Sequence, residues 1–266
     1  TVGQTESLPP SCAVKTSSSV RSRPSRWGGS GVSAGVASLT EDLQRSGSVG
    51  RPTEARRPCG VGADGVGAEL GSAPVEVREL GVPGAWLFSP PVFPDARGAF
   101  AAPFQARVFA GTVGHPLHVA QANTSVSRRG ALRGVHFADV PPGQAKYVQC
   151  SAGALLDVVV DLRVGSATFG TWDAVRLDVD SLQAVYLPEG LGHAFLALAD
   201  GTVASYLCST AYDPGVEHGV HPLDEALGLP WERWCPRDEL VLSDKDAAAA
   251  ALAAAADAGL LPTWEA

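Results

Sequence analysis

The chain has 266 residues, a formal net charge of −8 and five cysteines. Residues 1–74 carry eight Lys or Arg and six Asp or Glu, so the rest of the chain, with 12 and 22, has a net charge of −10. An acidic body argues against a general nucleic-acid binder, and no run reaches the roughly 18 apolar residues that a membrane span needs.

The cysteines predict reduced thiols rather than a disulfide framework or a zinc cluster. Their number is odd and no Cys-x-x-Cys spacing occurs. The N-terminus has no leucine-rich block after its first basic residue, Lys15, so it does not resemble a secretory signal. We therefore expect a cytoplasmic protein.

Residues 1–74 differ in composition from the remainder of the chain. They are rich in Gly, Ser, Arg and Pro, contain one aromatic residue, Trp27, and show no period of 2 or 3.6 in their apolar residues. Such a segment buries too little surface to offset its ordering entropy, which predicts disorder. Two origins stay open: a genuine extension, or upstream sequence included by a wrong start assignment.

From Val75 onward, short apolar runs alternate with Gly, Pro and Asp at roughly ten-residue spacing, which indicates an all-β sandwich or barrel. The predicted strands are 85–89, 118–125, 146–150, 154–162, 172–178, 183–187, 193–198 and 203–210. The intervening turns carry Pro-Gly, Gly-Ser and Glu-Gly signals.

Two helices are predicted as well. One covers 103–110, and a C-terminal one runs from Asp244 to Ala258 with Ser243 as its N-cap and Gly259 as its stop. The second domain, 75–266, is thus expected to be β-rich with a helical C-terminal part.

Polar residues interrupt the apolar runs at several places, among them His136, Lys146, Asp157, His193 and Tyr206. Inward-facing polar residues of a barrel could converge on a cavity. Each has an ordinary structural explanation when taken alone: a histidine or tyrosine with satisfied hydrogen bonds, a surface lysine, or a carboxylate at a helix start. A functional site is favoured only when these residues are taken together, in the order in which they occur along the chain.

The segments that carry these residues stand in one collinear order: DARGAF (95–100), QANTS (121–125), RGALRGVHF (129–137), PGQAKYV (142–148), YLPEGLGHAF (186–195), SYLCSTAYDP (205–214) and LSDKD (242–246). Together they resemble the dTDP-4-dehydrorhamnose 3,5-epimerase family, and within it the branch for deoxysugars of actinobacterial antibiotics. The resemblance covers about residues 80–264 and leaves out 1–74.

The resemblance implies a cupin-type jelly roll, a homodimer, and catalysis without a metal or organic cofactor. The residues themselves also argue against a metal site, because a metal cupin needs two histidines one residue apart and the first motif offers only His136. It implies an isomerase that epimerises C3, C5 or both of a dTDP-4-keto-6-deoxyhexose in rhamnose-like or antibiotic-sugar biosynthesis.

Family positions also imply roles for particular residues. His136 matches the base, Asp246 its carboxylate partner, Tyr206 the acid on the opposite face, and Lys146 the group that stabilises the enolate. Asp157 is expected to support one of the histidines. Positions that match substrate-binding residues are Arg97, Gln121, Asn123, Arg133, His193, Tyr212 and Glu217.

One departure concerns Ala101 and Ala102, where many relatives carry a larger aromatic residue and a Glu; this puts the choice of nucleotide base in doubt. Three alternatives stay open. A C3-only epimerase or a ketoisomerase would use the same enolate chemistry. A non-catalytic sugar-binding cupin would have no physical reason to keep a buried cation and a His–Asp pair. A metal-dependent oxygenase is disfavoured by the missing histidine.

Overall fold

Thirteen β-strands and three short α-helices make up residues 74–264, the part of the chain that the computed structural model describes. The strands are β1 (Glu76–Glu79), β2 (Trp86–Ser89), β3 (Phe93–Asp95), β4 (Gly98–Phe100), β5 (Gln121–Ser127), β6 (Leu132–Ala138), β7 (Lys146–Ala152), β8 (Ala154–Asp161), β9 (Trp172–Asp178), β10 (Ala184–Leu187), β11 (Leu191–Ala197), β12 (Thr202–Cys208) and β13 (Glu217–Gly219). The helices are α1 (Ala106–Val113), α2 (Asp244–Ala247) and α3 (Leu252–Asp257). The prediction of disorder for 1–74 lies outside the described residues, except for Pro74.

The strands form two antiparallel sheets and one hairpin. The larger sheet has the order β1-β2-β10-β7-β12-β5, the smaller one β13-β6-β11-β8-β9, and β3 pairs with β4. Apolar side chains of both sheets, such as Val148 and Val185 from the larger and Leu155 and Leu177 from the smaller, form one core between them. This is a jelly roll, and the all-β prediction is confirmed.

Strand β8 shows how the period of two distributes side chains in the smaller sheet. Leu155 and Val159 enter the core between the sheets, while Leu156, Val158 and Val160 belong to a second core on the outer face. All eight residues of β8 are buried because both faces of this sheet are covered. Asp157 shares the inward parity of Leu155, which brings a carboxylate between the sheets.

Segments outside the sheets pack on each of the two sheets. The C-terminal part packs on the smaller sheet through residues such as Trp231, whose indole N–H donates to Pro222 O at 2.8 Å. Helix α1 packs on the larger sheet, where Phe109 makes an edge contact with Tyr186 at 4.9 Å between ring centroids. No helix among residues 74–264 is long and apolar enough to cross a membrane.

The C-terminal helix prediction is wrong in one respect. Ser243 caps α2 as expected, since its Oγ accepts the N–H of Asp246 at 3.1 Å, and Gly259 adopts a left-handed φ of 67° just after α3. However, the helix is interrupted between these ends. Ala250 forms a β-bridge with Val220 there, and this tertiary pairing overrides the helical preference of the alanine run.

Five strands are absent from the sequence prediction: β1, β3, β4, β6 and β13. Four of them have only three or four residues. The fifth, β6, is interrupted by Arg133, Gly134 and His136, so it lacks a clean alternation. It nevertheless pairs with β11 and β13 in the smaller sheet and carries two of the predicted site residues.

Candidate active site

A cavity of about 260 Å³ opens between the two sheets. Nine of the eleven predicted site residues line it: Asn123, Arg133, His136, Lys146, His193, Tyr206, Tyr212, Glu217 and Asp246. The structure thus brings most of the predicted set into one place, although the residues come from segments more than 100 positions apart.

The two walls of the cavity come from different sheets. Arg133 and His136 lie on β6 and His193 on β11, all in the smaller sheet, whereas Lys146 lies on β7 and Tyr206 on β12 of the larger sheet. The imidazole of His136 and the phenol of Tyr206 therefore reach the cavity from opposite sides.

A β-bulge explains how β6 presents both Arg133 and His136 to the cavity. Residues three apart in a regular strand point to opposite faces. Here His136 pairs with His193 and Arg133 with Phe195, so three steps on β6 match two on β11. Gly134 makes the bulge possible: its φ is 117°, and a Cβ there would lie 2.5 Å from the carbonyl oxygen of His193.

His136 is paired with Asp246. Its Nε2 lies 2.7 Å from Asp246 Oδ1, with the histidine side chain about one-third exposed (34%) and the aspartate buried. Burial alone would raise the pKa of Asp246, but the hydrogen bond and charge of His136, together with Ser243 and Gly134, lower it below its usual value. Asp246 is thus both a helix-start residue and the partner of His136. A carboxylate on Nε2 leaves Nδ1 as the nitrogen with a free lone pair.

A second His–Asp pair lies beside the first. His193 Nε2 is 2.8 Å from Asp157 Oδ2, and both side chains are buried. The expectation that Asp157 supports a histidine is confirmed. Its other oxygen, Oδ1, has no hydrogen-bond partner among the described residues.

Lys146 brings a buried ammonium group to the cavity, with only 7% of the residue exposed. Burial lowers the pKa of Lys146, while the neighbouring Cys208, Glu217 and Asp157 oppose that shift. Within residues 74–264, the Nζ atom makes no hydrogen bond or ion pair. A cation in this position is available to an oxygen of a bound molecule.

Tyr206 has its phenol in the opposite wall. Burial raises its pKa, with smaller contributions from Cys208 and Glu217 and an opposing one from Arg133. The side chain is therefore protonated at neutral pH and has a proton to donate. Asn123 is its direct register partner on β5 and also lines the cavity.

Five further residues line the cavity that sequence reasoning missed: Ser125, Gln144, Phe195, Ser243 and Lys245. Ser125, Gln144 and Phe195 each lie two positions from a predicted site residue on or beside the same strand. The period of two was the signal that could have found them. Ser243 is the N-cap of α2, and Lys245 lies in that helix directly before Asp246.

Two predicted residues do not line the cavity. Arg97 follows β3 in the turn of the hairpin, with a side chain 91% exposed and paired with Asp95. Gln121 begins β5, and its amide contacts Asn123 and the backbone of Tyr212. Their binding roles remain predictions.

The arrangement of the side chains does not favour metal coordination. Among residues 74–264, no group of three or more His, Cys, Asp or Glu side chains is placed to hold a metal ion. The Nε2 atoms of His136 and His193 each face an aspartate instead.

Comparison with known proteins points in one direction. A family model described as dTDP-4-dehydrorhamnose 3,5-epimerase matches residues 79–254. The chain is 54% identical over 187 residues to the dTDP-4-dehydrorhamnose 3,5-epimerase of Mycolicibacterium smegmatis, covering 70% of this chain and 90% of the relative. It is 53% identical over 190 residues to the dTDP-4-dehydrorhamnose 3-epimerase of Streptomyces niveus, covering 71% and 90%.

A solved structure agrees with the sequence matches. The 4-keto-6-deoxy sugar epimerase of the novobiocin biosynthetic gene cluster of Streptomyces spheroides superposes with a TM-score of 0.69 at 51% identity. The superposition covers 75% of this chain and 98% of that one.

Proposed function

Since this chain belongs to the dTDP-4-dehydrorhamnose 3,5-epimerase family, we propose that it epimerises C3, C5 or both of a dTDP-4-keto-6-deoxyhexose. The observation that carries the proposal is the placement of His136 and Tyr206 on opposite walls of one cavity that also contains the ammonium group of Lys146. Inversion of a carbon beside a ketone needs a base on one face, an acid on the other, and a charge at the carbonyl oxygen.

His136 is the proposed base. The Asp246 carboxylate holds Nε2, so Nδ1 is free to take the proton from the carbon next to the C4 ketone. The carboxylate also stabilises the imidazolium that results. The electron pair of the broken C–H bond moves into an enolate, whose negative charge develops on the C4 oxygen.

Lys146 is the proposed partner of that oxygen. Its cation is buried and has no ionic partner at hydrogen-bond distance among the described residues, so it interacts with the charge that appears as the proton leaves. An interaction that strengthens in the transition state accelerates the reaction rather than merely tightening binding.

Tyr206 is the proposed acid. Its raised pKa keeps the phenol protonated until the enolate carbon takes the proton from the face opposite His136. The imidazolium of His136 then releases its proton to water and the phenolate takes one up from water, so both residues return to their starting states. One such cycle inverts one carbon, and a second cycle at the other neighbour of the ketone would invert both.

The nucleotide diphosphate is proposed to bind beside Arg133, whose Nε donates to Ser127 Oγ at 3.2 Å and whose guanidinium is thereby oriented. Asn123, His193, Tyr212 and Glu217 would complete the contacts.

Arg97, on the exposed hairpin, would contribute only in a homodimer, by reaching the partner's nucleotide. The dimer and the cytoplasmic location are proposals from the sequence resemblance and composition, and so is the sufficiency of residues 75–266 for catalysis.

Whether one or two carbons are inverted is the open choice, because relatives of nearly equal identity are a 3-epimerase and a 3,5-epimerase. The test is proton NMR of dTDP-4-keto-6-deoxyglucose with the protein in D₂O. Deuterium together with inversion at both C3 and C5 identifies a 3,5-epimerase, and deuterium together with inversion at C3 alone identifies a 3-epimerase. His136→Ala should abolish exchange at either carbon. The proposal fails if the wild-type protein binds the substrate but exchanges neither proton.

A further inference from the structure

Among the described residues that line the cavity, Phe195 alone has a side chain without a polar atom. The others carry a hydroxyl, amide, imidazole, carboxylate, ammonium or guanidinium group. Phe195 is only 4% exposed and belongs to the hydrophobic core between the two sheets. Its ring therefore gives an otherwise polar cavity one rigid apolar surface.

The position of Phe195 places this surface beside the proposed reaction. Phe195 stands two residues after His193 on β11, and the two ring centroids are 6.4 Å apart. His193 is the register partner of His136, so Phe195 lies one pleat, about 7 Å along the strand, from the level of the proposed base. Its own partner on β6 is Arg133. A sugar held between His136 and Arg133 would therefore contact this part of the wall.

The chemistry of the sugar shows which group suits an apolar surface. A 4-keto-6-deoxyhexose carries hydroxyl groups, a ring oxygen and a ketone, and its one apolar substituent is the C6 methyl group on C5. A methyl group gains hydrophobic free energy when it leaves water for a buried ring, whereas a hydroxyl group loses its hydrogen bonds there.

The two tyrosines of the cavity also have ring carbons, but their positions differ from that of Phe195. Tyr206 belongs to the larger sheet and is the proposed acid, so its wall faces a reacting carbon. Tyr212 is 55% exposed, which places it at the cavity mouth. Phe195 is thus the apolar group that is both buried and free of a proposed catalytic role.

We propose that Phe195 contacts the C6 methyl group of the bound sugar and thereby selects 6-deoxy sugars over sugars with a C6 hydroxyl group. The proposal rests on the epimerase function proposed above and names a residue that determines its substrate class. An apolar pocket rejects a ligand with one added hydroxyl group by at most about 10²-fold. We therefore expect a preference of roughly 10- to 100-fold.

The experiment measures dissociation constants by titration calorimetry for dTDP-6-deoxyglucose, dTDP-glucose and dTDP. The first two ligands differ only in the C6 hydroxyl group, and neither has a ketone, so binding is measured without reaction. The wild type should bind dTDP-6-deoxyglucose roughly 10- to 100-fold more tightly than dTDP-glucose. Equal affinities would overturn the proposal.

Phe195→Met and Phe195→Gln form a matched pair, because the new side chains have the same length and differ in polarity. Phe195→Met should keep most of the preference. Phe195→Gln offers a hydrogen bond to a C6 hydroxyl group and should reduce the preference to about threefold or less. If Phe195→Gln does not fold, Phe195→Ala removes the apolar surface without burying an amide, and it should lower the preference likewise.

The affinity for dTDP separates a sugar contact from a nucleotide contact. Because dTDP has no C6, its dissociation constant should be nearly the same in the Phe195 variants and the wild type. Phe169→Gln makes the same change at a phenylalanine that is 36% exposed and outside the cavity, and it should keep the wild-type preference. The proposal is overturned if Phe195→Gln keeps the preference of Phe195→Met, or if the affinity for dTDP falls as much as that for dTDP-6-deoxyglucose.

Deuterium exchange of the wild type tests the epimerase function separately. A protein that shows the C6 preference but exchanges neither proton of the keto sugar would retain the Phe195 contact and lose the proposed function. A protein that exchanges and inverts but binds both sugars equally would retain the function and lose the role of Phe195.

Discussion

His136 and Asp246 are 110 residues apart in the sequence, yet Nε2 of the imidazole lies 2.7 Å from Oδ1 of the carboxylate. The aspartate is fixed at the start of α2 by the Ser243 cap, whereas the histidine is brought to the cavity by the bulge in β6. The imidazole is therefore oriented by a rigid, buried acceptor while its other nitrogen remains available to a substrate.

Asp246→Asn should separate orientation from charge in this pair. The amide is of the same size, but it cannot stabilise an imidazolium and can present an N–H to Nε2, which favours the wrong tautomer. We expect kcat to fall by about 10²- to 10⁴-fold, with a thermal unfolding midpoint close to that of wild type. Steady-state kinetics and calorimetry provide the measurement.

The matched control for this change is Asp244→Asn, which alters an exposed carboxylate of the same helix outside the cavity. It should leave kcat unchanged. If Asp246→Asn retained wild-type kcat, the carboxylate would have no part in activating His136.

Tyr206→Phe should retain proton removal but lose inversion. Phenylalanine fills the same space without the hydroxyl, so the His136 side of the site stays intact and solvent deuterium still enters. Net inversion is expected to drop by roughly 10²-fold or more, the range for loss of a general acid. Proton NMR in D₂O follows both processes in one sample. Full inversion by this variant would assign the acid to another residue.

Lys146→Met should lower activity without a matching loss of stability. The change removes the cation that faces the enolate oxygen, so kcat is expected to fall by about 10²- to 10³-fold. Because burying an ammonium group is itself unfavourable, the free energy of unfolding should stay within about 1 kcal/mol of wild type. Kinetics and urea denaturation test the two parts separately. Unfolding of the variant would mark Lys146 as structural, and wild-type kcat would remove it from the mechanism.

The pH profile provides a second readout for the same residue. Burial lowers the pKa of Lys146, so the ammonium group loses its proton at a lower pH than a free lysine does. We expect kcat of the wild type to decline on the alkaline side as that cation disappears. Since Lys146→Met has no such group, its residual activity should lack this decline.

The sequence was sufficient for the fold class, the family and most of the polar residues that line the cavity, because long collinear motifs carry His136, Lys146, Tyr206 and Asp246. It was insufficient where tertiary contacts override local preference. The interruption of the C-terminal helix depends on the pairing of Ala250 with Val220, and the missed strand β6 depends on a bulge opposite β11. Neither partner is visible in a local pattern.

Asp161 and Arg163 offer a stability prediction away from the cavity. The carboxylate of Asp161 is fully buried and accepts hydrogen bonds from Arg163 Nε at 2.8 Å and from the hydroxyls of Ser166 and Thr168. Burial opposes its ionisation, but these bonds outweigh burial and lower its pKa from 3.8 to about 2. The pair therefore stabilises the fold above pH 4, and this contribution is lost as the pH falls towards 2.

Asp161→Asn should lower the free energy of unfolding at pH 7 by about 2–4 kcal/mol, because it removes a charge that the buried Arg163 needs. The difference from wild type should shrink between pH 4 and pH 2, where the wild-type carboxylate takes up its proton. Urea denaturation at pH 7, 5, 4 and 3 measures both effects. Asp95→Asn is the control: Asp95 also pairs with an arginine two residues later, Arg97, but on an exposed hairpin, so its loss should leave the urea midpoint nearly unchanged. Equal effects of the two substitutions would mean that burial does not determine the strength of the Asp161 pair.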